Sequence, residues 1–298
     1  MSYTARRMGD RFACEIVGLR LWEDIDASTV EELRALWAEH GVLIFRRQAL
    51  SEHEWADFCA RFGPLELTVR RDWASSVRPE VGIISNLKDG NGKSIGGLAD
   101  GEIFWHSDQS YMLNPATGAG LYAVEIAYEG GTTRWANLAR AYEALPERLR
   151  NAVEGRHAIF SYPKRLAGYK GADRTVPKEM KDSTPDVIHP IVHAHPVTGR
   201  KSLYLDPTTS IGIVGMDEVA GNALLDELTE FATRPEFVYQ HEWQVGDALI
   251  WDNGFLLHQR DPFPATEKRL MKRTTMILPK DRHMVPAGRV ADSALTPP

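Results

Sequence analysis

Cysteine is scarce in this sequence: Cys14 and Cys59 are the only two among 298 residues. That excludes a disulfide framework and a cysteine-based metal site. No hydrophobic run approaches the ~18 residues needed to cross a bilayer. The opening segment MSYTARRMGD has no apolar core of signal-peptide length, so the cytoplasm is the expected location and no membrane partner is expected. Positive charge is not in surplus either. Lys and Arg total 35 against 41 Asp and Glu, for a net charge of −6. Nucleic acid is therefore a poor candidate partner, because no basic excess exists to neutralise phosphates. Internal repeats and composition breaks are also missing. What is present is an apolar fraction of 43%, enough to bury a full core in a single domain over 1–298.

Two scaffold helices are predicted near the N-terminus. Ser28 opens S-T-V-E as a capping box with Glu31, and Val30, Leu33 and Trp37 follow at helical spacing until Gly41. Ser51 and Glu54 form a second box ahead of the stripe Trp55, Phe58, Cys59 and Phe62. VLIFR (42–46) lies between them as a buried strand. NLARAYEALPERLR (137–150) reads as a capped helix, and 217–233 as another with Val219, Leu225, Leu228 and Phe231 inward. His40 and His53 sit at or near helix ends and are expected to be solvated. The segments LYAVEIAY (121–128), KSLYLD (201–206), FVYQHEW (237–243), DALIWDN (247–253), FLLHQRD (255–261) and LMKRTTMIL (270–278) read as short strands. Tight turns between them favour a mainly β fold with flanking helices, an antiparallel barrel or jelly roll. Residues 66–103 lack periodicity, and 86–102 carries five glycines, which suits a long active-site loop. A second irregular insert, rich in Lys, Pro and Gly, covers about 161–190.

The segment FWHSDQSY (104–111) places His106 and Asp108 two residues apart among large apolar side chains. On a strand both would project to one face, and two desolvated ligand groups there are most simply satisfied by a metal ion. A third ligand must come from elsewhere. His258, flanked by Leu256 and Leu257 in a predicted strand, is either that ligand or an ordinary core histidine. Arg269 and Arg273 follow it, with Met271 between them on the same predicted face. Guanidinium groups directed into a barrel require anions, and carboxylates match their fork of donors; a pair of surface arginines on an edge strand is the alternative. A rival ligand cluster is His189, His193 and His195, which would suit a zinc hydrolase. A non-catalytic jelly-roll binding module is the reading from a different class.

The order H-x-D, then WDN and a histidine, then R-x-x-x-R resembles the taurine dioxygenase family of iron(II)- and 2-oxoglutarate-dependent oxygenases. The resemblance is closer still to the branch containing 2,4-dichlorophenoxyacetate dioxygenase. The likeness runs through GVLIFR (41–46), RFGPLE (61–66), WHSD (105–108), GGTT (130–133), AYEALP (141–146), TGRKSLY (198–204), EFVYQHEWQVGDALIWDN (236–253) and RLMKRTT (269–275). It implies a double-stranded β-helix, or cupin-like jelly roll, with Fe(II) on His106, Asp108 and His258 as the catalytic centre. It further implies 2-oxoglutarate held by Arg269 and Thr133, O₂ as co-reactant, and Arg273 on the anionic group of the prime substrate. Such enzymes couple oxidative decarboxylation of 2-oxoglutarate to succinate and CO₂ with hydroxylation of a substrate C–H bond. The partner implied is a small carboxylate or sulfonate, aryloxyalkanoate-like in one version, and the assembly a homo-oligomer. Tyr111 and Glu102 are further candidates for substrate contact. Glu102 stands where relatives carry an amide, Gly254 where the family often carries Arg after WDN, and Thr132 where an acidic residue is common.

Overall fold

The computed structural model describes residues 3–8, 12–68, 71–167, 184–278 and 288–289. Its organising element is a seven-stranded sheet in the order Thr4–Arg7, Cys14–Val17, Val42–Phe45, Ala248–Asp252, Gly118–Glu125, Leu270–Met276 and Gly82–Ser85. All its pairings are antiparallel except that between Cys14–Val17 and Val42–Phe45. A four-stranded antiparallel sheet, Val238–His241, Thr133–Asn137, Leu256–Arg260 and Ile103–His106, stands opposite it. Two smaller sheets complete the β structure among the described residues: Ser210–Ile213 with His157–Phe160, Val187–Pro190 and Gly288–Arg289, and the pair Val192–Ala194 with Lys201–Leu203.

Strand periodicity divides the core into layers. Val42, Ile44, Ala119, Leu121, Leu249, Trp251 and Met271 of the large sheet pack with Trp135, Tyr239 and Leu256 of the facing sheet. Their neighbours Leu43, Phe45, Tyr122, Ala248 and Ile250 turn the other way, onto the helices Ala27–His40 and Glu52–Ala60. On the far side of the four-stranded sheet, Ala136 and Leu257 pack against the helices Leu138–Glu143 and Glu218–Ala232. A strand buried on both faces must be apolar throughout, which is why VLIF and ALIW show no alternation in sequence. Gly118 and Gly120 make the helix layer possible. A methyl group on their Cα atoms would lie 2.5 Å from Trp37 Cη2 and 2.7 Å from Trp55 Cζ2.

Several local expectations change. The first helix is capped by Asp26, whose carboxylate accepts from Thr29 N, and not by Ser28; Glu31 pairs instead with Arg34. The box of Ser51 with Glu54 is present as expected. NLARAYEALPERLR forms two helices, Leu138–Glu143 and Glu147–Val153. The break follows from Pro146, which has no N–H to continue the first helix and serves as N-cap of the second. Val219, in the first turn of the helix Glu218–Ala232, is exposed, while Leu225, Leu228 and Phe231 are buried. His53 is exposed, but His40 is buried, with a ring nitrogen 3.1 Å from the Phe12 carbonyl oxygen. Residues 66–103 contain the strand Gly82–Ser85 and a turn of 3₁₀-helix at Arg71–Trp73. The expected insert at 161–190 begins with the helix Tyr162–Ala167 and ends with the strand Val187–Pro190; residues 168–183 lie outside the described part. Both cysteines are free and buried. Among the described residues no helix is long and apolar enough to cross a membrane.

Candidate active site

Between the two facing sheets lies a buried polar cluster. His106 ends the strand Ile103–His106 and is the register partner of His258 on the adjacent strand. Their rings are 4.0 Å apart between centroids. Asp108 does not share the strand, contrary to the two-residue alternation expected of H-x-D. It lies in the turn that follows, where Gln109 adopts φ 54°. The turn is built from distant residues. Asp206 Oδ2 accepts from Ser110 Oγ at 2.6 Å and from Ser107 N at 3.3 Å, and Ser107 Oγ donates to the Asn253 carbonyl at 2.9 Å. The outcome is a carboxylate aimed back at both imidazoles. Asp108 Oδ1 is 3.8 Å from His106 Nε2, and Oδ2 is 3.7 Å from His258 Nε2.

The chemistry of this set suits a divalent transition metal. One donor atom from each of His106, Asp108 and His258 falls within 4.8 Å of the others, and no other such group exists among the described residues. His106 Nδ1 donates to the Phe104 carbonyl at 2.7 Å, which leaves the Nε2 lone pair facing the cluster. Burial keeps both rings neutral. It holds His106 well below the ordinary histidine range, reinforced by the neighbouring His258, and lowers His258 to about 4. Burial alone would raise Asp108, but Arg273 and the two histidines outweigh it, and the carboxyl is held below its usual range. Arg273 Nη2 stands 2.8 Å from Asp108 Oδ2. That approach lacks hydrogen-bond alignment, because Oδ2 is among the buried oxygens without a hydrogen-bond partner. Two imidazoles and one carboxylate on one side of a cavity form the face that non-haem iron(II) oxygenases use.

The chain matches the model of the family described as taurine catabolism dioxygenase TauD, TfdA family, over residues 4–275. It belongs to that family. Among its relatives is (S)-phenoxypropionate/alpha-ketoglutarate-dioxygenase of Sphingobium herbicidovorans, 34% identical over 87% of this chain and 90% of that protein. Another is alpha-ketoglutarate-dependent 2,4-dichlorophenoxyacetate dioxygenase of Cupriavidus pinatubonensis, 32% identical over 93% of this chain and 98% of that protein. The alkylsulfatase of Acinetobacter baylyi is 30% identical over 91% of this chain and 84% of its own length. Two solved structures are similar throughout. AAD-2 in complex with Mn(II) and N-oxalylglycine superposes with a TM-score of 0.78 at 27% identity, covering 94% of this chain and 98% of that one. A taurine dioxygenase from Burkholderia xenovorans gives 0.77 at 30% identity, covering 99% and 98%.

Of the other residues that the resemblance implicates, Arg273 alone touches the cluster among the described contacts, through Asp108. Arg269 is 2% exposed and its Nη2 has no hydrogen-bond partner among the described residues. Its backbone is fixed at both ends, N–H to Asn86 Oδ1 at 3.1 Å and carbonyl to Ser85 Oγ at 2.8 Å. Burial, with the nearby Arg260 charge, lowers its pKa to about 9. Thr133 is buried, and its hydroxyl oxygen accepts from Trp243 Nε1 at 2.9 Å, which leaves its O–H to donate. Arg273 is half-buried at the cluster, Tyr111 packs on Tyr162 with centroids 4.7 Å apart, and Glu102 is exposed at the approach to the strand.

The rival histidine cluster does not form a ligand set. His189 Nε2 lies 2.9 Å from the Ser110 carbonyl, His193 Nε2 lies 2.8 Å from the Gly254 carbonyl, and His195 Nδ1 accepts from Val197 N at 3.0 Å. The three therefore brace backbone, two of them the segments beside Asp108 and His258. Sequence reasoning missed Asp206, which shapes the Asp108 turn, and Arg260, which is 4% exposed. A buried aspartate in LYLD carries no local mark. Arg260, however, follows His258 at strand spacing, and that was a usable signal.

Proposed function

We propose that this protein is an Fe(II)- and 2-oxoglutarate-dependent dioxygenase that hydroxylates a small anionic organic compound and releases succinate and CO₂. The observation that carries this reading is the convergence of His106, Asp108 and His258, and it is supported by Arg269, whose buried Nη2 has no partner among the described residues. His106, Asp108 and His258 would hold the iron, which when bound supplies O₂ activation coupled to decarboxylation of the oxo acid. Arg269 and the Thr133 hydroxyl would take the distal carboxylate of 2-oxoglutarate and fix its reach toward the ligand cluster. Trp251, whose ring centroid is 5.0 Å from that of His258, would shield that side of the metal from water. A single domain with a double-stranded β-helix core is part of this reading, supported by the facing sheets and by the family match over residues 4–275.

Arg273 would meet the anionic group of the prime substrate. The 2.8 Å approach to Asp108 engages one of its nitrogens, and the rest of its five-donor fork remains for a carboxylate, sulfonate or sulfate. Tyr111 would contribute apolar contact. Glu102, exposed near the cavity, would oppose an anion or attract an amine. The relatives named above for phenoxypropionate, 2,4-dichlorophenoxyacetate and alkylsulfates support a small anion. The direct test is succinate release with Fe(II) and 2-oxoglutarate against aryloxyalkanoates, sulfonates, sulfate esters and amino acids. Stimulation by a neutral compound alone would remove the anionic assignment.

Arg273→Leu is expected to keep metal and 2-oxoglutarate binding, since removing a cation beside Asp108 does not weaken a metal ligand. Substrate affinity should fall by about 2 kcal/mol, the lower end of the loss for one partner of a buried charge pair, because Arg273 is only half-buried. Hydroxylated product should fall more than succinate, because the C–H bond is no longer positioned. Unchanged substrate KM and product yield would place the anion site elsewhere.

The 86–102 segment is tied down at both ends and open in the middle. Asn86 Nδ2 donates to the Glu267 carbonyl at 2.7 Å, Phe263 N donates to the Asp100 carbonyl at 3.1 Å, and residues 89–95 are exposed. Trypsin is expected to cut at Lys88 or Lys93 in the ligand-free protein, and more slowly with metal, 2-oxoglutarate and substrate bound. Equal rates in both states would make the segment a surface loop with no closing role.

A further inference from the structure

Arg260 has no role in the family pattern outlined above, yet its placement is costly. It lies on the strand Leu256–Arg260, where Leu257 packs outward and Leu256 packs between the sheets, so His258 and Arg260 share the inner face. Its register partner on the neighbouring strand is Thr133. Cross-strand partners project to the same side, so Arg260 and Thr133 enter one cavity. Arg269 reaches the same spot from the opposite sheet. A methyl on Gly131 would lie 3.5 Å from both Arg269 Nε and Phe263 Cδ1, and Arg260 Cζ stands 5.2 Å from the centroid of the same Phe263 ring. Arg260 Nη2 donates to the Gly101 carbonyl, but its Nε and Nη1 have no hydrogen-bond partner among the described residues. Asp100 lends Arg260 some negative charge but makes no hydrogen bond to these donors, and two neighbouring buried guanidiniums with unmatched donors still cost stability unless an anion meets them.

We propose that Arg260 is a second guanidinium for the distal carboxylate of the oxo-acid cosubstrate, completing with Arg269 and Thr133 a three-donor pocket that selects a dicarboxylate. The inference rests on the 2-oxoglutarate reading above. A carboxylate offers about four lone-pair sites. Arg269 Nη2, the Thr133 hydroxyl and one of the two free Arg260 nitrogens supply three donors, since Nε and Nη1 lie on different edges of the guanidinium and only one can face a given carboxylate. Arg260 is thus a specificity residue for the cosubstrate tail, and its bond to Gly101 joins that tail to the end of the 86–102 segment.

The test is equilibrium binding to Mn(II)-loaded protein without oxygen, followed by tryptophan fluorescence or calorimetry. Two ligands are compared: 2-oxoglutarate, and 2-oxopentanoate, which has the same carbon chain without the distal carboxylate. Arg260→Leu is expected to weaken 2-oxoglutarate tenfold or more and to leave 2-oxopentanoate and Mn(II) affinities within twofold. Arg260→Lys, which keeps a cation in the slot, should lose less and serves alone if the leucine variant does not fold. Equal weakening of both ligands would make Arg260 a structural brace and overturn the proposal, as would an unchanged 2-oxoglutarate affinity in a folded variant. A wild-type protein that binds the two ligands equally would instead sink the 2-oxoglutarate reading itself.

Discussion

Asp108→Ala is expected to abolish metal-dependent succinate release and to weaken Mn(II) or Fe(II) binding by more than about 100-fold, the upper end of losses seen when only an outer-shell partner is removed. Two effects act in the same direction. The site loses its only carboxylate donor, and Arg273, 2.8 Å from that carboxylate, is left as an unbalanced cation facing the incoming metal. Repulsion then adds to the missing bond. His258→Ala should lose metal as well, without the unpaired arginine, so the aspartate variant should be the worse of the two. The pH dependence follows from burial. With His258 held down to about 4, its nitrogen stays unprotonated at neutral pH, and metal affinity should persist until the pH falls toward that value. Calorimetric titration of Mn(II) into each variant checks the order. Stoichiometric metal retained by Asp108→Ala would show that the ion sits elsewhere.

Arg269→Ala should leave metal binding intact and remove most affinity for 2-oxoglutarate. The diacid would then place a carboxylate in a slot whose arginine was 2% exposed, with no full replacement for the lost fork. Losses of about 2–5 kcal/mol are typical for one partner of such a pair, roughly 30-fold to 5,000-fold in affinity. Arg269→Lys should recover only part, because an ammonium cannot match the fork geometry. Arg260 bears on the size of the effect. Its guanidinium beside the slot should keep the loss toward the smaller figure, and removing both arginines should reach the larger. A 2-oxoglutarate KM unchanged in Arg269→Ala would assign the distal carboxylate to another residue.

The features legible in sequence are those governed by neighbours along the chain. The Ser51–Glu54 box, the stripe of Trp55, Phe58 and Cys59, and the buried runs VLIF and ALIW each follow from spacing within a turn or a strand. The same local rule put Arg269, Met271 and Arg273 on one face, and Arg269 and Met271 are fully buried there. It failed at Asp108, because the strand stops at His106 and the carboxylate is aimed by Asp206, 98 residues further on. It could not rank the histidines either. His189 and His193 have spacing as good as His106, and only their carbonyl partners show that they brace backbone. Periodicity along one strand decides which face a residue takes. Which atoms oppose each other across the cavity depends on strand register and on turns closed by distant residues, and the meeting of Arg260, Arg269 and Thr133 was decided at that level alone.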